Sequence, residues 1–177
     1  METTSTLFDT VVKETIDATQ EIFSTMVPME ISPEETFYRE EKELQEEVMS
    51  LVNFSGEHSG IIALLCNKNI ALKITSLMLG IDATELDHDT KDAIGEVTNM
   101  IAGNLKNKVH TSLGKMHLSV PIVVGGTDLT ISSTSKGTGE TSNSSDSEEA
   151  DNNQNMWMIS PFSSEEGILN VGIKINH

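Results

Sequence analysis

In the stretch "DAIGEVTNMIAGNLKNKV", residues 92–109, a carboxylate and an amide, Glu96 and Asn99, stand three residues apart among small and apolar neighbours. Side chains at i and i+3 of a helix share a face, so a helix here brings the two groups together. Glu96, ionised at pH 7, accepts charge-assisted hydrogen bonds. Asn99 is neutral and carries both a donor and an acceptor, so it can orient a polar molecule but cannot act as a strong base. At about 100° per residue, Ile94, Val97, Ile101, Leu105 and Val109 fall on one side of the helix, and Asp92, Glu96, Asn99 and Gly103 form a narrow stripe nearly opposite. Gly103 lowers helix propensity by up to about 1 kcal/mol but lets another backbone come close. Met100 lies beside this stripe, and Lys106 and Lys108 on or near the exposed side. The pattern is that of a docking face, although a Glu and an Asn on an exposed helix are by themselves an ordinary solvated surface.

The elements that must position this helix are legible on both sides of it. Residues 7–27 place Leu7, Phe8, Val11, Val12, Ile16, Ile22, Phe23 and Met26 at spacings of three and four, which predicts a half-buried helix ended by Pro28. After the acidic segment "PEETFYREEKELQEE", residues 47–66 hold two apolar runs around Ser-Gly-Glu-His-Ser-Gly, the pattern of a β-hairpin. "NKNIALKITSLMLG" opens on asparagines able to cap and closes on glycine, predicting a second helix over 67–80. The acids of "ELDHDTKDA" suit the N-terminus of the third, which should run from Asp89 or Thr90 to Leu113 with Gly114 closing it.

"MHLSVPIVVGG" and "TDLTISS" read as strands, and "MWMISPFSSEEGILNVGIKIN" as two more around a Ser-Glu-Gly turn, with Trp157 and Ile159 in the first of them. Between the strand pairs, residues 132–155 are almost wholly Ser, Thr, Gly, Asn and acid, which predicts a flexible polar loop. The order is helix, two strands, two helices and about four strands: an α+β domain over 1–177 in which helices pack on one face of a largely antiparallel sheet.

Eleven Lys and Arg against 28 Asp and Glu give a net charge of −17, which repels phosphate backbones and anionic lipid and so disfavours nucleic acid and membrane surfaces as partners. Cys66, the one cysteine, sits in an apolar run and reads as a buried small hydrophobe in a reducing compartment. The N-terminus lacks the basic and apolar regions of a secretory signal, and no run of about 18 apolar residues occurs, so the expected location is the cytoplasm. The five histidines form no His-Glu-x-x-His spacing, and the acids of "DHD" at 87–89 are explained by helix capping, so no metal site is expected. There is no Gly-x-Ser-x-Gly elbow to support a hydrolytic triad.

"DAIGEVTNMIAGN", followed by "LSVPIVVGG", resembles the signature of the CheC/CheX/FliY family of chemotaxis phosphatases: Asp, three residues, Glu, two residues, Asn, and a proline some twenty residues on. The matching positions are Asp92, Glu96, Asn99 and Pro121. The likeness covers roughly residues 35–131 and 156–175 and departs at the polar loop. One copy of the Glu and Asn pair is present, because "NIALKITSLMLG" has no Glu with an Asn three later, so the single-site CheX form fits better than the two-site CheC form.

The resemblance implies a CheC-like fold and a substrate, the aspartyl phosphate of a CheY-like response regulator. It implies Glu96 and Asn99 as the catalytic pair; Asp92, Met100, Gly103 and Lys106, on or beside the same helix stripe, are the candidates for contact with the partner. An amide can hold a water in line with phosphorus, and positioning of that kind is a large part of phosphoryl-transfer catalysis. No cofactor of the chain's own is expected, and Mg2+ is expected on the regulator. The family also leads one to expect a homodimer paired through an edge strand. The rival reading is a non-catalytic module that docks the same helix on a response regulator or flagellar switch component.

Overall fold

A computed structural model describes residues 2–40, 45–131 and 156–176. The predicted polar loop at 132–155 lies outside the described residues. Helix α1 spans Glu2–Thr25, starting earlier than its apolar stripe. Short strands β1 (Ser32–Pro33) and β2 (Phe37–Glu40) follow within the acidic segment. The predicted hairpin is β3 (Gln45–Gly56) and β4 (Ser59–Cys66). Helix α2 runs Lys68–Leu79 between an Asn67 cap, whose side chain accepts from the Ile70 N–H, and a left-handed Gly80 with φ 66°.

Helix α3 covers His88–Lys108, and a one-turn α4 covers His110–Leu113. The sequence predicted one helix to Leu113, but Val109 leaves the helical region at ψ 5°. The break keeps both Val109 and Leu113 in the core. Strands β5 (Met116–Leu118), β6 (Ile122–Thr130), β7 (Met156–Ser164) and β8 (Gly167–Asn176) complete the chain. Here too the boundaries move: the first expected strand, over 116–126, is broken at 119–121 into β5 and the start of β6, and β6 runs on through 127–130 of the second.

All strand pairs are antiparallel. The order across the sheet is β1, β7, β8, β4, β3, β5, with β2 also on β7 and β6 also on β3. The period of two sorts the residues to opposite faces. Register pairs such as Val52 with Ile62, Ile62 with Ile173 and Ile173 with Met158 carry one apolar row across β3, β4, β8 and β7. That face is covered by the helices. Ile22, Phe23, Ile70, Ile74, Ile94, Val97 and Ile101 pack over Val48, Leu64 and Phe162, and Val11, Ala18 and Leu105 pack over Val52, Ile62 and Ile173. The opposite face carries a smaller cluster of Met49, Ala63, Leu65, Trp157 and Ile159, with Phe37, Leu51 and Leu129 against it. Trp157 and Ile159 lie in β7, as expected, and β7 is an interior strand with β1 and β2 on its outer side. Among the described residues no helix is long and apolar enough to cross a membrane.

Candidate functional site

Helix α3 begins at His88, just before the predicted start at Asp89 or Thr90, with Asp87 as its cap. The Asp87 carboxylate accepts from the Thr90 N–H at 3.0 Å, and that bond holds its pKa below the ordinary carboxylate range. The Thr90 hydroxyl donates to the Glu85 carbonyl at 2.8 Å, fixing the approach to the cap. Along the helix, Ile94, Val97, Ile101, Leu105 and Val109 are all buried, at 2% exposure or less. Asp92, Glu96 and Asn99 are exposed on the opposite side. The core stripe therefore dictates that Glu96 and Asn99 point outward together.

The surroundings of the pair are built from three directions. His88 Nδ1 stands 3.0 Å from Asp92 Oδ2, linking the first two turns of α3. On the flank toward α1, Lys108 Nζ lies 3.2 Å from Glu21 Oε2. The Asn104 amide also hydrogen-bonds Glu21, and together Asn104 and Lys108 hold the Glu21 carboxyl below its usual pKa. On the other flank Gly95 is buried against β6, where a Cβ would meet Val123 Cγ2 at 3.2 Å and Pro121 Cγ at 3.4 Å. Pro121, the last residue of the sequence signature, is thus a neighbour of the residue preceding Glu96.

The remaining sequence candidates divide. Gly103 faces open space, with nothing within 4 Å of a Cβ built there. Lys106 is half-buried at the same end of the helix. Met100 is also half-buried and leans on the core cluster beneath α3, so only part of it is exposed. Lys108, expected on the exposed side, is occupied by Glu21. Burial pushes the Cys66 thiol up, which keeps it protonated and unreactive. Among the described residues no three His, Cys, Asp or Glu side chains converge as a metal site.

A cleft of about 800 Å³ lined by residues such as Gln20, Phe23, Met29 and Ile31 lies at the C-terminal end of α1 and includes neither Glu96 nor Asn99. The pair instead stands on an open helix face. Small-molecule sites are characteristically enclosed and largely apolar, which this face is not.

Comparison with known proteins agrees with this architecture. A family model described as chemotaxis phosphatase CheX matches residues 48–142. The CheY-P phosphatase CheX of Thermotoga maritima is 34% identical over 93 residues, which is 51% of this chain and 59% of that protein, so the match spans less than two thirds of the relative. The crystal structure of a chemotaxis protein CheX from Desulfovibrio desulfuricans superposes with TM-score 0.76 at 25% identity, covering 94% of this chain and 99% of the other. A CheX-CheY-BeF3-Mg2+ complex from Borrelia burgdorferi contains a chain of the same fold, with TM-score 0.64 and 20% identity over 94% of this chain and 97% of that one. With the family model covering more than half of its residues, the chain belongs to the chemotaxis phosphatase CheX family.

Proposed function

We propose that this chain hydrolyses the aspartyl phosphate of a CheY-like response regulator, with Asn99 orienting the attacking water. The observation that carries the reading is the joint exposure of Glu96 and Asn99 on one outward face of a helix whose other face is locked into the core. An amide standing clear of its own fold can enter a partner's active site. A small-molecule enzyme would have less use for that placement.

In this reading the Asn99 carbonyl accepts a hydrogen bond from water, and its NH2 group donates to the phosphoryl oxygens, setting the water in line with phosphorus. The water oxygen forms a bond to phosphorus as the bond to the aspartyl oxygen breaks. The carboxylate leaves with the electron pair, and the water's protons pass to phosphate and solvent. The Glu96 carboxylate binds a lysine of the regulator, a charge-assisted contact that fixes the register of the helix in the partner's site. Asp92, Gly103, Lys106 and the exposed part of Met100 border that contact. The charge-neutralising Mg2+ belongs to the regulator in this scheme, in keeping with the Borrelia burgdorferi complex, which holds CheX, CheY, BeF3 and Mg2+ together.

The net charge of −17 opposes approach to a phosphorylated partner at long range. At physiological salt, screening beyond about 8 Å leaves the local Glu96 pairing to decide. The test is the lifetime of a phosphorylated CheY-like regulator with and without this chain, with magnesium present. Faster phosphate release supports the reading. Binding without faster release contradicts it and assigns the chain to non-catalytic adaptors.

A further inference from the structure

The cleft at the C-terminal end of α1 stands apart from Glu96 and Asn99 and has a chemistry of its own. It is open and holds about 800 Å³. The buried side chains of Phe23 and Met29 line it, together with half-buried Ile31 and exposed Glu30. Its lining contains no lysine, arginine or histidine among the described residues.

The end of α1 adds hydrogen-bond acceptors. The helix has no basic residue in its last turn. The Met26 and Val27 N–H groups both donate to the Ile22 carbonyl, at 2.8 and 3.2 Å, and Pro28 has no N–H to return to the Ser24 carbonyl. The carbonyls of Phe23 and Ser24, two of the lining residues, therefore receive no backbone donor among the described residues. Unpaired carbonyls of this kind carry the negative end of the helix dipole, which favours a cation within the last turn. Of the two carboxylates in the lining, Glu21 is tied to Lys108 and Asn104. Glu30 has no ion pair among the described residues. The cleft thus combines an apolar base with negative charge and acceptors that its own lining does not answer with a cation.

We propose that this cleft docks a basic segment of a partner protein, which sets a lysine or arginine against Glu30 and the last carbonyls of α1 and an apolar side chain on Met29 and Ile31. Complementarity selects that occupant. An anionic segment would meet Glu30 and the negative end of the helix. A wholly apolar one would cover the carbonyls without giving them a donor, a cost of about 1–3 kcal/mol for each group left unsatisfied. The net charge of −17 draws a basic segment in at long range. The cleft includes neither Glu96 nor Asn99, so the inference stands independently of the phosphatase reading.

The experiment selects random peptides displayed on phage against the full chain, with its Glu30→Lys variant as counter-selection. The surviving peptides should place Lys or Arg beside Leu, Ile, Met or Phe. Survivors without a basic residue, or none at all, overturn the proposal. An enriched peptide is then synthesised and titrated against the parent and the Glu30→Gln, Ile31→Ser and Asp82→Asn variants. Asp82 is exposed between α2 and α3, so Asp82→Asn removes the same charge outside the cleft. Glu30→Gln should weaken binding about fivefold and Ile31→Ser about tenfold, while Asp82→Asn keeps the parent affinity. Glu30 is exposed, so Glu30→Gln should fold as the parent does and decides the matter even if Ile31→Ser is unstable. Unchanged binding in Glu30→Gln overturns the proposal. Equal weakening by Glu30→Gln and Asp82→Asn also overturns it, because overall charge is then the only attraction. Arginine amide binding as tightly as the peptide would assign the cleft to a small organic cation instead. Sedimentation supplies the last check: a self-associated parent that Glu30→Gln dissociates would make a second copy of this chain the occupant and contradict the proposal.

Discussion

Lys108 in the last turn of α3 and Glu21 in α1 form an ion pair at 3.2 Å, Nζ to Oε2. The pair separates two lysines that look equivalent in sequence. Lys108 is committed to holding α1 against the helix that carries Glu96 and Asn99, whereas Lys106 is half-buried with no such tie to α1 among the described ion pairs. Lys108→Ala should therefore lower the melting temperature slightly and leave regulator affinity intact. Lys106→Ala should weaken regulator binding a few-fold, more at low salt than at high salt. Paired thermal melts and binding titrations over a salt series check both. The Glu21 pKa is lowered in the folded chain, so the Lys108→Ala penalty is present above the ordinary carboxylate range and fades as pH falls through the folded pKa.

The contact of Gly95 with Val123 and Pro121 makes a second outcome specific. A Cβ at residue 95 would meet Val123 Cγ2 at 3.2 Å, tighter than ordinary contact. Alanine is a better helix former than glycine by up to about 1 kcal/mol, so the crowding and the propensity oppose each other in Gly95→Ala. In a Val123→Ala background the crowding is relieved and the propensity remains. Gly95→Ala should accordingly be more favourable there than in the parent by about 0.5–1 kcal/mol in denaturant unfolding. Additive single and double variants would show that the two residues do not press on each other.

Glu46 gives a pH-dependent outcome of opposite sign to Glu21. Desolvation first, and the neighbouring Glu47 carboxylate as well, raise its pKa, while a hydrogen bond from Asn170 Nδ2 at 3.3 Å opposes the rise. A carboxyl raised in the folded state destabilises that state once ionised, so the cost appears as pH climbs from the unfolded to the folded pKa. Glu46→Gln removes the charge and keeps an oxygen facing Asn170. It should raise the melting temperature at pH 7 and make no difference below about pH 3, where Glu46 is protonated folded or unfolded. Thermal melts of parent and variant at the two pH values check this.

The parts of the fold that sequence reading captured are those whose information is local. The spacing of Ile94, Val97, Ile101 and Leu105 announced both the existence of α3 and the direction in which Glu96 and Asn99 point, and Asp87 marked its start. Strands β1 and β2 carried no such pattern. They are short, and almost every residue in them is exposed, because they are held by the edge of β7 and not by a buried face. The end of α3 was misjudged because the break at Val109 arises from burial of Val109 and Leu113 against the sheet, which no cap residue reports. At the site, the Lys108–Glu21 pair and the seating of Pro121 on Gly95 join residues far apart in the chain, so only the tertiary structure could reveal them.

The central claim is that Asn99 orients the water that releases phosphate, and the most direct measurement is phosphate release from a phosphorylated CheY-like regulator with parent chain and with Asn99→Ala at equal concentrations, magnesium present, alongside binding of each to the same regulator. The parent should accelerate release, and the variant should still bind but lose most of that acceleration, a fall of about 10²-fold or more. A variant that binds and releases phosphate as fast as the parent would contradict it.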